Sequence, residues 1–302
     1  MQTYNLSFLS ETILRKTKRL LRHSVDDLSR LLATNPRHLP ITNEKELRVI
    51  GLRRTGNHAV IEWIKAQQPG NIEHVNNVEA RSNPYRYKFE HLIDYHPKHK
   101  KWAYQHYLPL SKGDFRHLDC LICSYEDQTL DSICDPFFER LHDIYVGKSR
   151  QRFDLLIVRD PFNLFASRLK SNMIDIKSPR LTAVDLWIQY AKEFLGDSQY
   201  LKQNKILVNY NQFVTDINYR KKLSLALGLK FSDAGIKRVA SLGGGSSFDS
   251  QGMDGRGNEM RVLERWQHFE QDTTFRNIFQ NPALLHYSKK IFGEIPGTAK
   301  LL

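Results

Sequence analysis

The residues best suited to chemistry in this chain are Arg53 and Arg54, set between Gly51 and Gly56 in the run Gly-Leu-Arg-Arg-Thr-Gly-Asn-His. The glycines lie five positions apart, as in a Walker A loop, but Asn57 and His58 stand where that loop carries Lys and Ser/Thr. No hydroxyl is left there to hold magnesium. Guanidinium groups inside a glycine loop suit a phosphate or sulfate neutralised by arginine rather than by a metal. The competing reading is a tight strand-to-helix turn with two solvated arginines. A second anion site is expected at Arg159-Asp160-Pro161, because Ser167 lies about two helical turns beyond Asp160 and returns to the same face. Between the two, Glu126 and Asp127 close an apolar run. That position puts carboxylates at the carboxyl end of a strand, where a base reaches a substrate held over the glycine loop. Asp127 has the alternative role of N-cap for the following helix.

The elements that must position these groups are legible from period changes. Leu47, Val49 and Ile50 form a short apolar strand, and Val60, Ile61 and Ile64 recur at helical spacing after Asn57. The glycine loop is the connection, with the positive end of a helix dipole at its close. Cys120 to Tyr125 and Leu155 to Val158 read as further buried strands. The second is followed by Asp160 as N-cap and Pro161 as first helical residue. Thr182 to Gly196 reads as a capped helix, Lys205 to Val208 as another strand, and Glu259 to Phe269 as a late helix with Leu263 and Trp266 in the core. The alternation predicts a three-layer α/β/α fold around a central, mostly parallel sheet. Residues 1–45 read as a basic amphipathic helical appendage and linker, with Asn35-Pro36 and Leu39-Pro40 as breakers, and residues 46–302 as the α/β domain. The appendage is expected to pack on the domain rather than lie on a membrane surface, which is the less favoured alternative. Residues 76–118, rich in His, Tyr, Lys and Arg and broken by Pro84, Pro97 and Pro109, read as a long insertion bordering a binding cleft.

A net charge of +12 over 302 residues favours acidic partners, among them nucleotides, nucleic acid and anionic polysaccharide. The interleaved aromatic and basic residues of 76–118 are compatible with stacking on single-stranded nucleic acid, but no recognised motif accompanies them and no nucleic-acid partner is expected. No run approaches the roughly 18 apolar residues of a membrane span, and no signal-peptide pattern opens the chain, so the expectation is a cytoplasmic protein. Three cysteines are not a disulfide framework. Cys120 and Cys123 should point to opposite faces of a strand, and the histidines show no ligand spacing, so no metal is expected.

Taken together, Arg159-Asp160-Pro161 with Ser167 resembles the 3′-phosphate motif of sulfotransferases that use 3′-phosphoadenylyl sulfate (PAPS). Gly51 to Gly56 is similar to their 5′-phosphosulfate loop, with Arg54 at the basic position and Thr55 at the serine. The two occur in the family's order, and the likeness runs over about residues 47–292. It implies a P-loop NTPase-like sulfotransferase architecture, with PAPS as donor, 3′,5′-ADP as product and a metal-free in-line displacement by an acceptor hydroxyl or amine. Donor binding would then involve Arg53, Arg54, Thr55, Gly56, Asn57 and His58, together with Arg159 and Ser167. The resemblance further implies Tyr210 near adenine, Ser247 and Phe248 closing over the base, and Arg256 and Gly257 at the 3′-phosphate. Arg54 would stabilise developing charge. Glu126 is the expected general base, with His106 of Tyr-Gln-His-Tyr-Leu-Pro as runner-up. The departures are Arg53 for the family's Pro and Asn57-His58 for its hydroxyl pair, which leaves the 5′-phosphate to backbone N–H groups, an amide and two arginines. The acceptor, a saccharide or a small alcohol, would meet a pocket shaped by residues 76–118. Alternatives are a catalytically altered nucleotide-binding protein, a P-loop-type kinase, or a basic module for RNA or polysaccharide.

Overall fold

The computed structural model describes residues 21, 23–33, 39–176, 178, 180–240, 245–249 and 252–301. The apolar and basic residues expected in 1–20 and the Asn35-Pro36 breaker lie outside them. Five strands, β1 (Ile41–Gly51), β2 (Ile72–Val75), β3 (Leu118–Glu126), β4 (Lys148–Val158) and β5 (Ile206–Asn209), form one sheet in the order β2-β3-β1-β4-β5. Every pairing is parallel, so the sheet is wholly rather than mostly parallel, with helices on both faces. The fold class is α/β. Parallel order requires a crossover after each strand, and the period switches read in the sequence are those crossovers.

On one face Leu47, Val49, Ile122, Leu155 and Ile157 pack against α2 (Asn57–Lys65) and against Phe213 and Leu223 of α9 (Tyr210–Thr215) and α10 (Ile217–Ala226). On the other, Ile50, Leu156 and Val158 pack against α7 (Pro161–Lys170) and α8 (Ala183–Leu195). Further along that face, Leu121 and Cys123 meet α3 (Pro84–Tyr95), α4 (Lys100–Ser111) and α6 (Pro136–Val146). Cys120 and Cys123 thus do fall on opposite faces. α8 starts with a Thr182–Asp185 capping box and stops at Gly196 in the left-handed region, as its sequence requires. A helix over residues 23–33, α1, is held to α3 by Asp27–Arg86 and to α6 by the Tyr145 hydroxyl, which donates to Asp27 at 2.8 Å.

Three expectations need correction. β1 begins at Ile41, so residues 41–45, read as linker, belong to the sheet. Their polar side chains hid them: Asn43 Nδ2 donates to Val146 O at 3.0 Å and Lys45 Nζ to Leu227 O at 2.7 Å, so both are buried without being apolar. Residues 76–118 are mostly α3 and α4, the crossover from β2 to β3. Their prolines punctuate helices: Pro84 is the first residue of α3 and Pro109 lies in the last turn of α4. The late segment forms 3₁₀ turns, Gly257–Glu259 and Arg265–Phe269, rather than an α-helix; Trp266 is buried as expected.

A buried ionic network crosses the second face. Arg48 on β1 pairs with Asp154 on β4 at 2.7 Å and with Glu139 on α6. Two residues earlier on the same face, Glu46 accepts from Ser149 and pairs with His142 at 2.8 Å. Burial would raise the Glu46 carboxyl, but His142, Arg152 and Ser149 outweigh it and hold it at about 2. Burial would likewise lower His142, yet Glu46 and Asp143 raise it.

Removing one partner of such a network leaves a buried charge uncompensated. Arg48→Ala should cost about 3–5 kcal/mol in denaturant unfolding; a loss within the range of ordinary surface substitutions would show that Asp154 does not depend on it. Because the folded pKa of Glu46 is depressed, its contribution is present above the ordinary carboxyl value of 4.5 and lost as pH falls toward about 2. The acid limb of the stability profile should therefore flatten in Glu46→Gln. His142 works in the opposite sense, its contribution present below 6.5 and lost as pH rises through its higher folded value.

Candidate functional site

The carboxyl ends of all five strands lie along one edge, with Gly51 level with Glu126 and Val158 level with Asn209. The loops that leave this edge enclose a cleft of about 310 Å³. Its floor is the glycine loop. Gly56 has φ +106°, and a Cβ there would sit 2.1 Å from the Tyr210 ring, so both the left-handed backbone and the close approach demand glycine. Gly51 is required by a different neighbour: a Cβ would lie 2.1 Å from Asn57 Oδ1. α2 opens at Gly56 with no side-chain cap and no acidic residue in its first turn. Its leading N–H groups are therefore offered to the cleft.

The loop is anchored from below. Asp127 is no N-cap; it sits in the left-handed region at φ 56°, accepts the Arg53 N–H at 2.9 Å and pairs with the fully buried Arg168 at 2.7 Å. Arg168 also donates to Arg53 O. Arg54, itself left-handed at φ 71°, donates to Gly245 O and accepts at its own carbonyl from Arg159 Nη1 at 3.0 Å.

Three guanidiniums converge here. Arg159 is buried and reaches Arg54 O, Ser167 Oγ at 3.2 Å and Val262 O. The expected Arg159–Ser167 meeting therefore exists. Arg265, which the sequence did not single out, donates to the same Ser167 Oγ at 3.2 Å and to Ser246 Oγ at 2.8 Å. Most of their acceptors are carbonyls and hydroxyls; the nearest carboxylate to Arg265 is Asp249 at 3.8 Å. Burial, then the charges of Arg159 and Arg54, pull Arg265 down to about 9 despite Tyr210 and Asp249. Arg159 and Arg54 are lowered as well, by burial first and, for Arg54, by Arg159 next. Mutually repelling cations around an uncapped helix start make a site in which an anion relieves strain rather than creating it.

Among the described residues, Glu126 is the one carboxylate lining this cleft. Its Oε1 accepts from Asn57 Nδ2 at 3.1 Å and lies 4.0 Å from His58 Nε2, while Arg53 Nε is 3.8 Å from Oε2. Asn57 donates its amide also to Leu52 O, and His58 pairs with Asn76 Oδ1 at 2.9 Å. Glu126, Arg53 and Asn77 border a second cavity of about 540 Å³, whose wall includes Glu79, Gln128, Ser132 and Asp175.

The other expected residues divide. Tyr210 lines the cleft beneath the Arg159 guanidinium, 5.4 Å from its ring centre. Thr55 is buried beneath the loop, its hydroxyl without a partner among the described residues. Ser247 and Phe248 stand behind Arg265, at 3.4 Å and as a cation–π neighbour, and so position it. Arg256 is exposed and Gly257 borders a neighbouring cavity; Arg238 lines the cleft instead. His106 does not join the site. It pairs with Glu73 at 2.9 Å and stacks on Trp102. Glu73 is level with Leu121, five residues below Glu126 on β3, or about 16 Å along the strand. Among the described residues no group of three or more His, Cys, Asp or Glu is arranged to hold a metal ion.

No protein-family model matches the chain, and no curated protein does. Among solved structures it is similar to mouse sulfotransferase SULT7A1 complexed with PAP, at 13% identity and a TM-score of 0.39, over 82% of this chain and 89% of that one. At that level of likeness neither activity nor site residues transfer to this chain.

Gly56→Ala should destabilise the fold by about 1–3 kcal/mol and displace Tyr210. Gly228, also left-handed but with nothing within 4 Å of a Cβ, is the control. Thermal unfolding of both variants distinguishes steric from conformational cost; equal losses would mean that Tyr210 yields freely.

Proposed function

We propose that this protein is a sulfotransferase that moves a sulfuryl group from PAPS to a hydroxyl or amine acceptor and releases 3′,5′-ADP. The observation that carries the reading is the position of Glu126 on the boundary between a cleft of converging arginines and a second, polar cavity. An anionic donor on one side and a proton-bearing acceptor on the other would meet across that carboxylate. PAPS supplies an activated sulfuryl group and a 5′-phosphate able to leave with the bonding electrons.

The chain's own residues have distinct tasks in this reading. Arg54, Arg265 and the first N–H groups of α2 hold the donor's phosphates and sulfate and neutralise charge on the departing oxygen. Arg159, whose Nη1 and Nη2 groups donate to Arg54 O, Ser167 and Val262 O while its buried Nε–H has no partner among the described residues, adds positive charge and fixes the floor. Tyr210 offers an aromatic wall. Glu126 accepts the proton of the acceptor as its oxygen or nitrogen forms the new bond to sulfur. Asn57 keeps one carboxylate oxygen aimed and leaves the other for that proton. His106, paired with Glu73 away from the cleft, is given no role in this reading.

The second cavity favours a hydroxyl-rich acceptor such as a saccharide over a small hydrophobic alcohol, since its wall presents Glu79, Gln128, Ser132 and Asp175. A P-loop-type kinase has no support in the loop, which lacks the Lys and Ser/Thr that hold triphosphate and magnesium.

At a concentration about one hundred times its Kd, 3′,5′-ADP should stabilise the protein by about 2.7 kcal/mol, readable as a rise in Tm; ATP with magnesium should give much less. The reverse order would remove PAPS from consideration. Arg265→Met should abolish the 3′,5′-ADP shift while leaving the unliganded Tm unchanged or raised. With labelled PAPS and a panel of sugars, Glu126→Gln should keep the nucleotide shift and lose about 10²–10⁴ in turnover at fixed pH. Near-full turnover would exclude Glu126 as base, and nucleotide binding without transfer in the parent would leave a binding protein.

A further inference from the structure

α1 is amphipathic the wrong way round. Its inward face is mostly polar, with Leu31 alone among its described residues packing on the core: His23 meets Glu90 at 3.0 Å, Asp27 pairs with Arg86, and Arg30 Nη1 donates to Ser111 O at 3.1 Å. Its outward face carries Val25, Leu28 and Leu32, which are 66%, 56% and 79% exposed, and Leu21, two positions before α1, is 63% exposed. Their spacing of four, three and four residues makes one continuous stripe. A helix docked by packing alone would turn these residues inward; here the ion pairs fix the opposite orientation, so the stripe is presented to something outside the domain.

Charge and aromatic content nearby say what that is. The contacts of His23 with Glu90 and Asp27 with Arg86 run α1 antiparallel along α3 and bring its first turn toward the α3–α4 turn. That turn exposes Lys98, Lys100 and Lys101, together with Tyr95 and Trp102, 70% and 45% exposed. In the sequence, residues 15–22 add Arg15, Lys16, Lys18, Arg19 and Arg22 with no acid among them. An apolar stripe, lysines and interfacial aromatics are the components with which a peripheral protein engages a negatively charged bilayer: short apolar insertion, attraction to anionic headgroups, and Trp and Tyr at headgroup depth. Among the described residues no helix is long and apolar enough to cross a membrane.

We infer that the outward face of α1 and the adjoining α3–α4 turn form a docking surface for an anionic lipid bilayer. This stands apart from the sulfuryl-transfer reading, because none of these residues borders the cleft.

The full chain, sedimented with phosphatidylcholine vesicles with and without phosphatidylserine, should bind only the anionic ones, and high salt should weaken binding. The triple variant Val25→Gln, Leu28→Gln, Leu32→Gln should lower partitioning about tenfold or more. So should Lys98→Glu, Lys100→Glu, Lys101→Glu. All six positions are exposed, and an unchanged thermal transition checks the fold. Failure of the parent to bind phosphatidylserine vesicles, or undiminished binding by the Gln variant, overturns the proposal. So does a lipid-free dimer, seen by analytical ultracentrifugation, that the Gln variant dissociates, since a second copy would then be the occupant.

Discussion

Arg168 has no exposure to solvent, and Asp127 is the carboxylate that makes its burial tolerable. An unpaired guanidinium there would be costly. Around this pair three parts of the chain are fixed at once: the end of β3 that supplies Asp127, the helix α7 that supplies Arg168, and the glycine loop, whose Arg53 N–H and C=O bond to one partner each. The pair therefore sets the height of the loop against the sheet edge. Arg54, Gly56 and the first turn of α2 inherit their positions from it.

Buried charge is handled in two opposite ways on one scaffold. Across the second face of the sheet, Arg48, Asp154, Glu139, Arg152, Glu46 and His142 neutralise one another, and the result is structural. At the carboxyl edge, Arg159 and Arg265 crowd round a common hydroxyl, Arg159 donating otherwise to carbonyls and Arg265 to serine hydroxyls. Neutral carbonyls and hydroxyls satisfy hydrogens but not net charge, so the second cluster remains electrostatically incomplete, and the buried Arg159 Nε–H has no partner among the described residues. Such preorganised, uncompensated donors are what stabilisation of a charged reacting group requires, since they need no rearrangement when charge develops. The parallel topology supplies the location, because strands in one direction bring every such loop to the same edge.

How much of this could be read in the sequence follows from where local pattern carries the information. The strand-loop-helix units at Gly51 and Arg159 were legible, because each changes period at a glycine or an Asp-Pro. The beginning of β1 was not. Asn43 and Lys45 are buried through hydrogen bonds to chain segments about 100 and 180 residues away, and polarity in a window reads as loop. Arg265 was missed for a related reason: it lies in a 3₁₀ turn with no periodic signal and reaches a serine 98 residues earlier. One cue existed. An arginine flanked by Val262, Leu263 and Trp266 sits in a segment that must be buried, and a buried arginine needs acceptors. For His106 the Tyr-Gln-His-Tyr-Leu-Pro run carries only a local resemblance, whereas stacking on Trp102 and pairing with Glu73 decide where that ring goes.

Asn57 and His58, the residues that made the loop look defective, acquire a physical rationale from their partners. Hydroxyls at those positions would donate to a bound phosphate. Asn57 instead spends its amide on Leu52 O and Glu126, and His58 binds Asn76, so neither side chain is arranged chiefly as an anion donor. Their effect is to tie the start of α2 to the end of β3. On the proposed reading the positive charge comes instead from Arg54, Arg159 and Arg265. Loss of two neutral donors is offset by guanidiniums, which make stronger bonds to anions, and the loop gains a fixed carboxylate between two cavities. The unusual loop and the unpredicted Arg265 are on this argument two sides of one compensation.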